Sequence, residues 1–387
     1  MGVGYETAAR TRERPARSAA VLSMTSLSHH SIARVDYATI GSVYPREVGR
    51  NSFLGSHGRG DSHRVIVLTT DRGAVGWGPH LGALGDPARF VGRSVAELID
   101  PARGVIDDAR TLDYALHDLA GIILDMPVYA LLGDAGSKHL RVYSGGIYLD
   151  DLDPTDAPSG LAAITRNLSQ DAALGFRDFK LKLGRGYRWM SPAAGLKRDI
   201  EVTRLARDLY PQARILVDAN DAYSPNLVAE YLEATADTGL YWIEEMFRER
   251  RDDMLELRRL VNQISPTTLI ADGEYRPDVP AVLQLAAEGL VDVLLMDVVG
   301  FGLTAWRQIM PQILGTSARM SPHAWGWPLK TLYAAQIGAG LGRTDIVEGV
   351  PGDITNVDAS GYRFEDGVMS LPERPGFGLA LLEDAFL

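Results

Sequence analysis

The first third of the chain alternates apolar and polar positions as strands do, and then changes to the wider apolar spacing of helices. Residues 32–45 and 62–78 are rich in Val, Ile, Tyr and Thr, and Asp71-Arg72-Gly73 supplies turn chemistry within the second stretch. Residues 109–133 then place leucine and alanine at helix-face spacing. These patterns predict a small antiparallel sheet followed by helices, an N-terminal α+β domain over residues 31–138.

From residue 139 onward, short apolar runs alternate with helical stretches. This rhythm predicts parallel strands joined by crossover helices. Eight such runs occur between residues 139 and 352, which fits an α/β fold with a (β/α)8 TIM-type barrel better than an open sheet of fewer strands. We expect residues 353–387, a C-terminal segment, to pack on the N-terminal domain, which then caps the barrel. The predicted barrel strands are RVYSGGI, DFKLKL, ARILVDA, LYWIEEM, TTLIADG, VDVLLMD, ARMSPHA and TDIVEGV.

The first 30 residues show neither pattern. They carry four arginines but no secretory apolar stretch of about 7–15 residues, and no run of about 20 apolar residues occurs anywhere in the chain. We expect residues 1–30 to be a leader or flexible extension, with Met24 as an alternative start, and we expect no membrane partner.

Composition narrows the classes of function. The chain has 387 residues, of which 46% are hydrophobic and 23% charged, the usual composition of a globular protein. Its net charge of -11 disfavours a nucleic-acid surface. The absence of cysteine excludes disulfides, thiolate metal sites and thiol nucleophiles, and fits a reducing compartment, so we expect the cytoplasm. Any catalysis must use oxygen and nitrogen groups.

Candidate chemistry lies at the ends of the predicted barrel strands. Polar or ionisable residues end almost every strand, and the C-terminal strand ends form the active-site face of such a barrel. Because charged side chains are seldom buried without a partner, a shared site explains this pattern better than chance. The strand-end residues are Lys180, Lys182, Asp218, Asn220, Glu244, Glu274, Asp297, His323 and Glu348.

Three of these strand ends supply carboxylates that can converge. Asp218, Glu244 and Glu274 end successive strands, and three hard oxygen donors without a thiolate or a histidine cluster suit Mg²⁺ or Mn²⁺. Glu245 and Asp272 compete for the ligand roles, because period alone does not decide which of two close carboxylates faces inward.

The remaining polar residues suggest acid and base groups. Lys180 and Lys182 share one face of a strand, and two adjacent ammonium groups near a cation are expected to lower a lysine pKa toward neutrality, producing a general base. His323 follows the next strand after Asp297, so a carboxylate can fix the imidazole tautomer and form an acid/base pair.

As a set, these motifs resemble the enolase superfamily, specifically its mandelate racemase-like group of acid-sugar dehydratase type. The matching segments are FKLKLGRGYRWM, VDAN, WIEE, GE, SPHAW and EGVPGD. The resemblance implies that Asp218, Glu244 and Glu274 bind Mg²⁺. It also implies that Lys182 is a base and that Lys180 assists it and meets the substrate carboxylate.

The same resemblance assigns roles to the later strand ends. His323 with Asp297 would be the acid/base on the opposite face of the substrate, and Glu348 would donate a hydrogen bond to an enolate oxygen. The chain departs from the family pattern at Met246, where proline commonly follows the paired glutamates.

We therefore predict a Mg²⁺-dependent dehydratase that removes the proton α to the carboxylate of a sugar acid, eliminates the β-hydroxyl and gives a 2-keto-3-deoxy acid. The alternative is a racemase or epimerase of a 2-hydroxy acid that uses the same residues. An alternative of another class is a protein that binds metal and sugar acid without turnover.

Specificity is expected to come from the polar loop between the first strands and from loops at the barrel mouth. We expect a small-molecule carboxylate as the partner and a homo-oligomer as the assembly. The candidate substrate-binding residues are Asn220, Tyr44, Arg46, Arg50, His57, His80, Arg185 and Trp189.

Overall fold

The N-terminal part of the chain forms an antiparallel sheet, as the alternating pattern predicts. The computed structural model describes residues 24–81, 86–152 and 159–386. Strand β1 (Ile32–Val48) pairs with β2 (Gly58–Thr70), and β2 pairs with β3 (Val75–Pro79). Between β1 and β2, residues 49–57 remain a loop.

Helices pack directly against this sheet because β3 carries two glycines on one face. A Cβ atom on Gly76 or Gly78 would lie 2.4–2.5 Å from atoms of Leu119 and Tyr114, so only glycine permits this close approach. The capping-domain elements are α1 (Val95–Leu98), β4 (Ile99–Asp100), β5 (Gly104–Val105), α2 (Asp113–Leu124), α3 (Val128–Leu132) and 3₁₀ turns at Pro87–Phe90 and Asp107–Leu112.

The end of the predicted N-terminal extension belongs to this domain. Residues 24–28 are helical, and Leu27 is fully buried in a core cluster with Ile66, Leu68 and Leu116. The expectation of a flexible segment up to residue 30 is therefore wrong for residues 24–30. This segment is ordered because Leu27 buries its side chain among apolar residues of the capping domain. Residues 1–23 lie outside the described residues.

Eight parallel strands form the predicted barrel. They pair in the order β12, β11, β10, β9, β8, β7, β6 and β13, and a bridge between Met320 and Thr344 closes the ring. The strands are β6 (His139–Ile147), β7 (Asp178–Lys182), β8 (Ile215–Asp218), β9 (Trp242–Glu244), β10 (Leu269–Asp272), β11 (Val293–Leu294), β12 (Arg319–Met320) and β13 (Val347–Gly349).

Helices surround the barrel and supply its outer apolar layer. Trp306, Tyr231 and Ile164 are fully buried between helices and strands. The helices are α4 (Leu161–Ala173), α5 (Arg185–Arg188), α6 (Pro192–Leu209), α7 (Pro225–Thr235), α8 (Arg251–Ile264), α9 (Val279–Ala287), α10 (Val298–Phe301), α11 (Leu303–Leu314) and α12 (Pro328–Leu341), with 3₁₀ turns at Asp150–Leu152 and Ala236–Thr238.

The C-terminal segment joins both domains rather than the capping domain alone. Strand β14 (Asp353–Thr355) pairs with β1 of the capping sheet, whereas β17 (Val368–Ser370) pairs with β6 of the barrel. Phe377 packs on Tyr114 of α2 and Tyr333 of α12. The remaining elements are β15 (Val357–Asp358), β16 (Arg363–Glu365), β18 (Ala380–Leu381) and a 3₁₀ turn at Glu383–Phe386.

Across the described parts of the chain, none of the helices combines the length and apolar character that crossing a lipid bilayer requires.

Candidate active site

The C-terminal ends of neighbouring barrel strands bring the predicted polar residues side by side. In the parallel register, Lys182 on β7 lies opposite Asp218 on β8, and Asp218 lies opposite Glu244 on β9. Lys180 precedes Lys182 by two residues, so both side chains share one face of the strand. All four residues are buried. They meet at the barrel face that carries active sites in this fold.

Asp218, Glu244 and Glu274 form a carboxylate cluster that fits a divalent cation. One oxygen atom from each lies within 4.8 Å of the others. Glu274 Oε2 and Oδ1 of nearby Asn220 are buried and have no hydrogen-bond partner among the described residues. A bound cation would satisfy such oxygens, and oxygen donors alone suit Mg²⁺ or Mn²⁺. The chemistry of this donor set therefore fits the predicted metal.

The structure shows which of the neighbouring carboxylates face the cluster: Glu244 and Glu274 do, whereas Glu245 and Asp272 bind backbone N–H groups. Glu245 has a φ of 41°, and its Oε1 accepts hydrogen bonds from the backbone N–H groups of Glu274 and Tyr275 at 3.1 and 2.7 Å. Asp272 Oδ1 accepts the N–H of Gly273 at 2.7 Å, outside the cluster. Glu245 therefore holds the backbone that carries Glu274.

Both lysines are paired with carboxylates. Lys180 Nζ lies 2.7 Å from Glu244 Oε1 and 2.9 Å from Glu348 Oε1, and Lys182 Nζ donates to Asp218 Oδ2. Burial lowers the pKa of each lysine, but the carboxylates outweigh burial and raise each pKa above its ordinary value. Without a cation, carboxylates outnumber the two ammonium groups, so a lysine needs compensating positive charge to act as a base. The expectation of a lowered lysine pKa, which includes a nearby cation, stays a prediction.

His323 and Asp297 form the predicted pair beyond Glu274. Asp297 Oδ2 accepts a hydrogen bond from His323 Nδ1 at 2.9 Å, and His323 Nε2 faces Glu274 Oε1 at 3.2 Å. Burial alone would raise the pKa of Asp297, but the ammonium group of Lys330 and the hydrogen bond from His323 lower it below its usual range. An ionised carboxylate on Nδ1 fixes the imidazole tautomer, which leaves Nε2 to exchange a proton with a substrate.

Lys330 is a residue of the site that sequence reasoning missed. Its Nζ lies 2.5 Å from Asp297 Oδ2 and 2.8 Å from the carbonyl oxygen of Trp325. Lys330 is the one charged residue of α12, a helix whose residues are all buried. That isolated charge is the signal that could have revealed it, because a buried ammonium group requires a partner.

Glu348 accepts hydrogen bonds through one oxygen, and its other oxygen, Oε1, forms the ion pair with Lys180. Its Oε2 accepts the backbone N–H groups of Ala324 and Trp325 at 2.6 and 3.1 Å. Burial raises the pKa of Glu348, but Lys180 and His323 lower it to about 2. An ionised carboxylate cannot donate a hydrogen bond. In this ionised form Glu348 orients Lys180 and the segment after β12, and the implied role as donor to an enolate oxygen stays a prediction.

Two arginines predicted to bind substrate instead form buried ion pairs within the protein. Arg46 is buried against Asp171, with Nη1 2.5 Å from Oδ1, and it also donates to the carbonyl oxygen of Gly146. Arg185 is fully buried between Asp151 and Asp199, at 2.7 and 2.6 Å. Both predictions are wrong, because these guanidinium groups are committed to carboxylates that hold loops and domains together.

The loop after β1 contacts the loop after β7. The indole Nε1 of Trp189 donates to the carbonyl oxygen of Asn51 at 2.7 Å, and the Arg50 guanidinium lies 4.6 Å from the Trp189 ring centroid. Among the described residues we find no contact that joins His80, just after β3, to the carboxylate cluster. Arg50 and Trp189 therefore bound the mouth of the barrel, whereas His80 stays a prediction.

Aromatic rings border the lysine side of the site. His57 packs edge-on against Tyr148 at 4.7 Å between centroids, and Tyr148 packs against Trp325 at the same distance. Lys182 Nζ lies 5.5 Å from the Tyr148 ring. Tyr44 stacks on Trp325 and donates to the Gly326 carbonyl oxygen at 2.5 Å. Tyr148 and Trp325 were also missed, although Trp325 belongs to the SPHAW motif.

The comparisons with known proteins agree with this architecture. A family model described as enolase C-terminal domain-like matches residues 163–385, more than half of the chain. The chain is 25% identical over 359 residues to D-galactarolactone cycloisomerase of Agrobacterium fabrum, covering 84% of this chain and 90% of that protein. It is 25% identical over 357 residues to D-xylonate dehydratase of Haloferax volcanii, covering 83% and 84%.

Solved structures extend the likeness to the whole fold. Galacturonate dehydratase from Geobacillus sp., complexed with D-galacturonate and 5-keto-4-deoxy-D-galacturonate, superposes with a TM-score of 0.85 at 31% identity, covering 92% of this chain and 95% of that chain. A mutant of galacturonate dehydratase from Geobacillus sp., complexed with Mg, gives a TM-score of 0.85 at 30% identity, covering 92% and 94%. The chain therefore belongs to the enolase C-terminal domain-like family, in the mandelate racemase-like group of the enolase superfamily.

Proposed function

We propose that this protein is a Mg²⁺-dependent dehydratase of a sugar acid. One observation carries the proposal: Lys182 and His323 contact different members, Asp218 and Glu274, of a single carboxylate cluster. A substrate carboxylate held at the cluster would therefore have a potential base and a potential acid within reach of its α and β carbons.

Asp218, Glu244 and Glu274 would hold the metal ion. When bound, a divalent cation supplies positive charge that offsets the carboxylates around the lysines and stabilises the charge developing on the substrate carboxylate. Enolase-superfamily sites combine a Lys or His base with one or two Mg²⁺ ions, and the residues of this site follow that known pattern.

The chain's own groups move the protons. Lys180 meets the substrate carboxylate, and Lys182 Nζ takes the α-proton, which leaves the electron pair of the broken C–H bond in an enolate. His323, protonated on both ring nitrogens at this step, then donates its Nε2 proton to the β-hydroxyl as the C–O bond breaks, so that water leaves and the ring keeps its Nδ1–H on Asp297. The resulting enol ketonises to a 2-keto-3-deoxy acid. Asp297 holds the imidazole in the orientation that this step needs.

The galacturonate dehydratase complex supports dehydration over the alternatives. In a hexuronate the carbon beside the carboxylate is C5 and its neighbour is C4, so a 5-keto-4-deoxy product corresponds to α-proton removal and β-hydroxyl loss. The same residues could instead return a proton to the other face of the enolate, which would make the protein an epimerase. A protein that only binds would need neither Lys182 nor His323.

Proton NMR in D₂O tests the proposal. The purified protein is incubated with Mg²⁺ and a panel of sugar acids that includes D-galacturonate, D-xylonate and diacid sugars. A dehydratase removes the α-proton signal and produces deoxy signals from at least one member, at C3 of an aldonate or at C4 of D-galacturonate. Deuterium at the α-carbon or a new epimer, without elimination, would replace dehydration by epimerisation. Binding with no spectral change would leave the binding-protein alternative.

Cytoplasmic location and a homo-oligomeric state are also proposals. Both are expectations from the sequence, and light scattering on a size-exclusion column tests the second.

A further inference from the structure

The ammonium group of Lys330 lies behind the His323–Asp297 pair, on the side away from the carboxylate cluster. Its Nζ contacts the same atom, Asp297 Oδ2, that accepts the hydrogen bond from His323 Nδ1. Lys330 comes from α12, whereas Asp297 follows β11 and His323 follows β12. The lysine therefore ties a helix on the outside of the barrel to two loops at its mouth.

Asp297 is held at both oxygens by four donors. Oδ1 accepts the backbone N–H groups of Val299 and Gly300 at 2.9 and 2.6 Å, which caps α10. Oδ2 accepts His323 Nδ1 at 2.9 Å and Lys330 Nζ at 2.5 Å. The backbone donors fix one oxygen of the carboxylate, and Lys330 fixes the position of the oxygen that His323 uses.

A second contact links Lys330 to the loop that carries His323. Lys330 Nζ donates to the carbonyl oxygen of Trp325 at 2.8 Å, two residues after His323. The Trp325 ring packs against Tyr148 at 4.7 Å and lies 6.3 Å from the His57 ring of the capping domain. Lys330 thus restrains the imidazole of His323 in two ways, through Asp297 and through the backbone that follows His323.

Packing alone does not account for a lysine at this position. All residues of α12 are buried, and Lys330 is its one charged residue among leucine, alanine, glycine and other uncharged residues. Burying an ammonium group costs several kcal/mol unless its partners compensate, and an apolar side chain of similar volume often packs at least as well. The contact with the acid/base pair supplies a reason for the charge.

We propose that Lys330 is a positioning residue for the acid step of the reaction. By holding Asp297 Oδ2 and the Trp325 carbonyl oxygen, it keeps the His323 Nδ1–H on Asp297 and Nε2 directed at the site, both when the ring is protonated for the acid step and when it is the neutral Nδ1–H tautomer. This inference rests on the proposed dehydratase function for its kinetic consequence, but not for its structural one.

Kinetics of Lys330→Met and Lys330→Arg test the proposal. In Lys330→Met we expect kcat for elimination to fall about 10–100-fold, the size of loss seen when the outer-shell partners of metal-bound histidines are removed, with little change in KM. Exchange of the α-proton with D₂O should persist, so the ratio of exchange to elimination rises. Lys330→Arg should recover part of the loss, because guanidinium still donates to Asp297. Lys197→Met is the control and should behave as wild type, because Lys197 is exposed and, among the described residues, its ion pair is with Glu201 on its own helix.

A second measurement does not depend on turnover. With ¹⁵N-labelled histidine, long-range ¹H–¹⁵N spectra report the tautomer of His323, assigned with His323→Asn. We expect one Nδ1–H tautomer in the wild type and a mixture in Lys330→Met. If Lys330→Met keeps both the wild-type tautomer and the wild-type kcat, or if exchange and elimination fall by the same factor, the inference is wrong. If no sugar acid reacts with the wild type while the tautomer shifts in the variant, the proposed function fails and the positioning role stands.

Discussion

At the scale of single residues, Lys182 removes the α-proton and His323 protonates the leaving hydroxyl. Substituting one or the other should therefore affect α-proton exchange and elimination differently. Lys182→Met removes the base, and we expect both α-proton exchange and elimination to fall about 10²–10⁴-fold. His323→Asn should lower elimination by a similar factor while exchange persists, because Lys182 is intact. Proton NMR in D₂O measures both rates. Equal loss of exchange in the two variants would contradict separate roles.

Asp118 is a residue whose burial makes stability depend on pH. It lies fully buried in α2, where Oδ2 accepts the backbone N–H of Trp77 at 3.0 Å and Oδ1 that of Phe377 at 2.8 Å. Burial, opposed by these two hydrogen bonds, raises the pKa of Asp118 from 3.8 to about 7. The folded state therefore disfavours the charged form, and the contribution to stability that is present below the unfolded pKa is lost as pH rises through the folded pKa.

We therefore expect Asp118 to make the free energy of unfolding fall between about pH 4 and pH 7, by at most about 1.4 kcal/mol per pH unit. Asp118→Asn lowers stability, because the amide offers one acceptor to two N–H donors, but it removes this part of the pH dependence. Urea unfolding at pH 5 and pH 8 measures both effects. Asp237→Asn, in an exposed ion pair, should keep the wild-type difference between the two pH values. An undiminished difference in Asp118→Asn would contradict the assignment.

At the scale of elements, the buried pair of Arg46 and Asp171 joins β1 of the capping sheet to α4 of the barrel. Arg46→Met leaves a buried carboxylate whose one remaining side-chain donor, within the described part of the chain, is Ser144 Oγ. Breaking one partner of a buried ion pair costs about 3–5 kcal/mol, and we expect a loss of that size in urea unfolding. Arg204→Met, which breaks an exposed pair, should change stability little. Similar small losses in both variants would show that the domains are joined by apolar packing instead.

The same elements show what sequence reasoning can reach. The alternation of short apolar runs and helices predicted every barrel strand, because strand and helix patterns are local. The convergence of Asp218, Glu244 and Glu274 followed, because strand ends meet on one face of a barrel. Glu244 and Glu245 could not be separated, since the turn at Glu245, with its φ of 41°, is not visible in the residue pattern.

Long-range partners explain the errors. Arg46 was predicted to bind substrate because it lies in a polar loop region, but its partner Asp171 is 125 residues away in the chain. Arg185 finds Asp151 34 residues upstream. No local sequence pattern predicts ion pairs between residues so far apart. An arginine near a predicted site therefore cannot be recognised as part of a structural ion pair until the fold is known. Lys330 was missed for the same reason, since Asp297 lies on another element.

At the scale of the whole molecule, the carboxylate cluster predicts that Mg²⁺ stabilises the fold. Asp218, Glu244 and Glu274 come from three consecutive strands of the barrel, so a cation bound between them holds the native sheet and has no equivalent site in the unfolded chain. A ligand at 100 times its Kd adds about 2.7 kcal/mol to the free energy of unfolding.

We therefore expect Mg²⁺ to raise the Tm by a few degrees and EDTA to reverse the rise, as differential scanning calorimetry measures. Glu274→Gln should abolish the shift, because an amide oxygen without charge is a weaker ligand for a hard cation. Glu373→Gln, an exposed carboxylate of the C-terminal segment, should keep the full shift. Calorimetric titration with Mg²⁺ alone separates binding from stability. If Glu274→Gln still binds and responds as the wild type does, the cation is held elsewhere, and the base at Lys182 would lack the positive charge that its surrounding carboxylates require.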